Sequence, residues 1–206
     1  MATAVLNRPP DHFGPDSAGV LMTPRAFDRA VFERGYRYEL IQGVLVASPA
    51  PLESQRDPNE ELGHWLRAYR DAHPLGAALD KTLPEHTIQV DQNRRVADRA
   101  IWVGLGRKPR RREVPAILVE FVSAGKRNME RDYETKREEF QRCGVKEYWV
   151  FDRFAHTLTV FFQRGQRPAK RILRADQTYS TPLLPGFELQ LDPLFALADS
   201  WADEES

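Results

Sequence analysis

The feature that most constrains this chain is a run of seven residues, Ile117-Leu118-Val119-Glu120-Phe121-Val122-Ser123, almost continuously apolar but with an acid in its middle. A short apolar run of this kind, rich in β-branched and aromatic residues, predicts a strand covered on both faces. Alternation then places Leu118, Glu120 and Val122 on one side of the sheet. An ionised carboxylate is costly in such a place unless a cation or hydrogen-bond donors compensate it. Glu120 either reaches solvent or an arginine at the strand end, or is held there for chemistry.

A second carboxylate sharpens the choice. VADRAIWVG, around Asp98, is another apolar strand, following a turn near Gln92-Asn93-Arg94. Two neighbouring strands with one carboxylate each can converge on a divalent cation, since Mg²⁺ takes one or two carboxylates and completes its shell with water and phosphate oxygens. A salt bridge from Asp98 to Arg95 or Arg99 is the structural alternative. Further on, Asp132 and Lys136 are four apart and share a helix face, as a solvated ion pair or as a lysine delivered to the same site.

The rest of the chain supplies a frame for these residues. Thr23-Pro24 predicts an N-cap and a helix through about Arg34, ended by Gly35. YRYELIQGVLVASP predicts a hairpin turning at Gln42-Gly43. Asp57-Pro58-Asn59-Glu60 predicts a helix start, and Leu62, Trp65, Leu66 and Tyr69 continue it at helical spacing to His73-Pro74. A charged helix from about Lys126 to Cys143 ends at Gly144. Two strands follow in VKEYWVFD and TLTVFFQ, with a last short helix over 194–202. This order predicts an α/β (α+β) fold with a mixed central sheet. Residues 1–22 read as a flexible lead-in, and 23–206 as a single domain, as a length of 206 residues suits.

Several function classes are excluded or weakened. Thirty basic residues balance thirty acidic ones, so any nucleic-acid binding rests on local patches, of which Arg107-Lys108-Pro109-Arg110-Arg111-Arg112 is the most basic. That stretch is a solvated loop or a contact for DNA phosphates. The lone Cys143 allows no intrachain disulfide, and His12, His64, His73, His86 and His156 never fall at zinc-ligand spacing. No apolar run approaches the ~18 residues of a membrane span, so no membrane partner is expected. The start lacks the pattern of a signal peptide, and a cytoplasmic location is the expectation.

Taken in order, YELIQGVLVASP, VADRAIWV, LVEFVS and RDYETKREEFQRCGVKEYWVFD resemble the Uma-type restriction endonuclease family of bacteria, within the PD-(D/E)xK nuclease superfamily. The resemblance spans about Thr23 to Val160. It implies a restriction-endonuclease-like core and hydrolysis of DNA phosphodiester bonds with Mg²⁺ or Mn²⁺. It also implies site roles: Asp98 and Glu120 as metal ligands, Glu39 as an accessory acid, and Lys136 in place of the usual lysine two residues after the glutamate, where this chain has Val122. Asp132 would orient that lysine. Two departures are visible: Ala97 stands where the motif has proline, and ESQRDPNEEL lacks the histidine many members carry there, the first being His64. A nuclease fold that binds nucleic acid or a protein partner without cutting is the rival expectation, and assembly as a homodimer stays open.

Overall fold

The computed structural model describes residues 12–122, 129–164 and 167–201, with residues 129–133 and 164 described by backbone alone. In chain order the main elements are α1 (Pro24–Phe27), β1 (Tyr36–Ile41), β2 (Val44–Pro49), α2 (Glu53–Ala72), β3 (Leu79–Val90), β4 (Asn93–Val103), β5 (Ile117–Phe121), α3 (Met129–Cys143), β6 (Glu147–Asp152), β7 (Thr157–Arg164), β8 (Arg167–Arg174) and α4 (Asp192–Ser200). The protein is mixed α/β, with a mixed sheet and flanking helices. Its chain divides into two compact units, one of residues 1–50 and 91–96, the other of 51–90 and 97–206.

In the smaller unit β1 and β2 form an antiparallel hairpin, Ile41 facing Val44. The two turn residues, Gln42 and Gly43, both have positive φ (51° and 80°), the backbone that lets a two-residue turn follow the strands' twist. The predicted helix over 23–34 is much shorter. Thr23 does cap it, its Oγ1 accepting from the Ala26 amide at 3.2 Å, but the helix ends at Phe27. Val31–Phe32 instead pairs in parallel with His12–Phe13. Phe32 stacks on Tyr38 at 4.6 Å and meets Phe27 at 4.8 Å, so burying the ring outweighs a weak helical preference.

In the larger unit the sheet order is β8-β7-β6-β5-β4, with β3 also paired to β4. β5 is the central element: all five of its residues are buried, and it pairs antiparallel with β4 and parallel with β6. On one face Ile117, Val119 and Phe121 meet Leu62 and Leu66 of α2 and Phe195 of α4. On the other, Leu118 and Val122 meet Phe140 of α3. Burying one such leucine contributes about 2 kcal/mol. α3 stops where Gly144 takes φ 101° and the Val145 amide reaches back to the Phe140 carbonyl at 3.0 Å.

α2 begins at Glu53, with Leu52 at the cap, five residues before the predicted start. Gln55 secures that start, its Oε1 accepting from the Leu52 amide at 3.2 Å. Pro58 therefore lies inside the helix. The last helix spans Asp192–Ser200, slightly earlier than predicted.

Candidate active site

The register between β4 and β5 brings the two predicted strand carboxylates to the same place. Arg99 faces Val119, Ala100 faces Leu118 and Ile101 faces Ile117. Continuing by one residue sets Asp98 opposite Glu120, and directly opposed residues of an antiparallel pair share a face. The ladder ends at Arg99, and Asp98 takes over with its side chain: Oδ2 accepts the next β5 amide, that of Phe121, at 2.6 Å. Asp98 is 2% exposed and Glu120 4%.

α3 brings the third group. Lys136 is buried, and its Nζ donates to Glu120 Oε1 at 3.0 Å. Val122, two residues after Glu120, packs in the apolar cluster with Phe140 and Tyr148, so the cation beside Glu120 comes from the helix and not from the strand. In their ordinary charge states Asp98, Glu120 and Lys136 sum to one negative charge. The side chain of Asp132 lies outside the described residues.

Glu39 belongs to the smaller unit. It is buried there, with Oε1 accepting from the Val96 amide at 2.8 Å and Oε2 lying 3.9 Å from Arg95 Nη1. Val96 precedes Asp98 by two residues along the chain.

Two residues that the sequence reading passed over hold the site strands from behind. Gln55 Nε2 donates to the Phe121 carbonyl at 2.7 Å, and Asn59 Nδ2 donates to the Asp98 carbonyl at 2.9 Å. They are one helical turn apart on α2, and so reach neighbouring strands from one helix face. Asn59 also accepts from Arg99: its Oδ1 from Nε at 2.7 Å and its carbonyl from Nη2 at 2.6 Å. Thr82 accepts from Arg99 Nη1 at 3.1 Å. Burial lowers the Arg99 pKa to about 10, which leaves the guanidinium charged near neutrality. The signal for Gln55 and Asn59 was their spacing, since 55, 59, 62, 66 and 69 form one stripe that is apolar from Leu62 onward. Polar residues on the buried stripe of a helix mark partners across the interface.

Beside Asp98 opens a polar cavity of about 180 Å³, lined also by Gln55, Arg56, Asn59, Glu60 and Glu85. In ESQRDPNEEL the stretch without histidine contributes a buried Ser54 next to Gln55, while His64 is exposed. The basic stretch 107–112 is partly neutralised. Arg107 forms a two-armed pair with Glu113 at 2.8 and 2.7 Å, and Glu113 also accepts the Arg110 amide. Lys108, Arg110, Arg111 and Arg112 remain exposed.

The donor set fits a magnesium-like ion. Asp98 and Glu120 offer the one or two carboxylates such an ion takes. Among the described residues no group of three or more His, Cys, Asp or Glu side chains could supply a fuller cage. No helix among the described residues is long and apolar enough to cross a membrane.

Comparison with known proteins bears on fold and family. The crystal structure of "a putative nuclease belonging to DUF820" from Anabaena variabilis is similar over 86% of this chain and 99% of that one, with a TM-score of 0.67 and 14% sequence identity, a likeness of fold. No curated protein matches the chain. The family model of Uma2, described as "Putative restriction endonuclease", matches residues 24–192. With most of its length under that match, the chain belongs to the Uma2 family.

Proposed function

We propose that this protein is an endonuclease that hydrolyses phosphodiester bonds in DNA with a divalent cation, Mg²⁺ or Mn²⁺, held by Asp98 and Glu120. The observation that carries the reading is the buried Lys136–Glu120 pair beside a second buried carboxylate on the neighbouring strand. A stability argument alone explains such an arrangement poorly, because a buried ion pair is often no better than apolar residues of similar size. The bound cation would polarise the scissile phosphate and make water a stronger nucleophile near neutral pH.

The chain's own residues then have distinct work. Lys136 fixes the Glu120 carboxylate and places an ammonium where charge develops on a phosphate oxygen. The Phe121 amide orients Asp98 through Oδ2. Gln55 and Asn59 hold the carbonyls of Phe121 and Asp98, limiting drift of the two carboxylates relative to each other. The exposed arginines of 110–112 are assigned a role in phosphate contact.

The test is cleavage of supercoiled plasmid by the full chain with Mg²⁺ or Mn²⁺, compared with EDTA. Asp98→Asn and Glu120→Gln keep the acceptors for Phe121 and Lys136 but remove the charge, so both should lose cation-dependent cutting while still unfolding cooperatively, Glu120→Gln at lower stability because it takes the anion from beside the buried Lys136. Equal cleavage by those variants, or none by the wild type under either metal, would overturn the reading and favour a module that binds without cutting.

A further inference from the structure

A second cavity, of about 610 Å³, lies away from the carboxylates. Its floor carries Glu147, the first residue of β6, which faces Ile117 at the start of β5. Ile117 lies three residues before Glu120, roughly 10 Å along the strand. By alternation it points to the opposite face. The cavity therefore lies about that distance along the sheet from the Asp98–Glu120 pair, at an end of the sheet to which the last turn of α3 contributes Gln141. Its volume lies within the range of small-molecule sites, about 300–1,000 Å³.

The lining is built rather than incidental. Glu147 is buried and accepts three neutral donors: Trp149 Nε1 at 2.8 Å, Tyr179 Oη at 3.0 Å and Thr181 Oγ1 at 2.6 Å. This network fixes the floor without using a cation. Two exposed cations, Lys146 and Arg171, also line the cavity, and neither is taken by an ion pair among the described residues. Gln141 lines it too, with its Nε2 buried and without a hydrogen-bond partner among the described residues. Ser180 adds a hydroxyl, and the half-buried Phe162 an aromatic ring.

Against the one carboxylate of Glu147, Lys146 and Arg171 leave the described lining with a formal surplus of one positive charge, which suits an anion. An aromatic ring offers a surface for a flat partner. An amide in need of an acceptor, with a hydroxyl nearby, suits the hydrogen-bonding edge of a base. We infer that this cavity binds a nucleoside 5′-monophosphate, its base against Phe162 and Gln141 and its phosphate at Lys146 and Arg171. The inference goes beyond the proposed cleavage activity and does not depend on it.

Isothermal titration calorimetry of the full chain in EDTA tests it, with dAMP, dGMP, dCMP, dTMP and inorganic phosphate as probes. At least one nucleotide should bind with a Kd below about 1 mM, and phosphate alone at least about tenfold more weakly. Arg171→Ala and Lys146→Ala, both at exposed positions, should each weaken nucleotide binding about tenfold. Asp98→Asn should bind as the wild type does, which separates this site from the carboxylates. No binding by any nucleotide would overturn the inference. So would binding that Asp98→Asn abolishes, binding indifferent to both cation variants, or phosphate binding as tightly as the nucleotides. Binding without any DNA cleavage would leave this inference standing while the cleavage reading fell.

Discussion

Glu120 sits in a strand buried on both sides, and Lys136 at 3.0 Å makes its charge tolerable there. Removing only the lysine takes away the cation 3.0 Å from a buried carboxylate, so Lys136→Met should be destabilising in chemical denaturation, by up to about 3–5 kcal/mol. Adding Glu120→Gln to that variant should recover part of the loss, and a simple sum of the two single effects would contradict the pairing. At the surface, the Arg107 guanidinium, and after it the Arg110 amide, lower the Glu113 pKa from 4.5 to about 2. A depressed folded pKa means that this contact stabilises fully above pH about 4.5 and is lost as pH falls toward 2. Carboxyl chemical shifts followed by NMR should give a Glu113 midpoint well below that of an unpaired glutamate, and Arg107→Ala should raise it.

At the scale of elements, α2 is more than a cover for the sheet. Gly63 has no side chain because the Arg99 guanidinium occupies the space: a Cβ there would lie 2.5 Å from Nη2 and 2.7 Å from Cζ. A mid-helix Gly→Ala change ordinarily stabilises by about 1 kcal/mol. Here the guanidinium is fully buried and bonded to Asn59 and Thr82, so it has nowhere easy to go. Gly63→Ala should therefore lower the thermal midpoint, and a raised midpoint would contradict the packing. The same helix shows what could be read from sequence. Its apolar stripe from Leu62 to Tyr69 was plain, and so were the β1–β2 turn and the strand around Glu120, because each rests on local spacing. Its start was not, since Asp57-Pro58 imitates a cap while the amide of Leu52 is in fact bonded by Gln55. The short α1 failed for a related reason: the parallel pairing of Val31–Phe32 with His12–Phe13 is a contact that local propensity does not contain. Asp98 could be named, but its position opposite Glu120 depends on strand register. The bonds from Gln55 and Asn59 depend on which helix lies behind those strands.

For the molecule as a whole, the larger unit uses the two faces of one sheet differently. The face covered by α3 carries Glu120 and Lys136, with Asp98 opposite Glu120 on the next strand. The other face carries Glu147 and its three donors at the far end of β5 and β6. Membership in the Uma2 family fixes the kind of fold, and the carboxylate pair is what would make that fold a cation-dependent catalyst. The most direct measurement is therefore calorimetric titration of Mn²⁺ into the metal-free full chain, its Asp98→Asn variant and its Glu120→Gln variant. The account predicts saturable binding to the wild type, lost or weakened at least about tenfold in each variant while their unfolding curves remain cooperative. Binding of equal strength in all three, or none in the wild type, would contradict it.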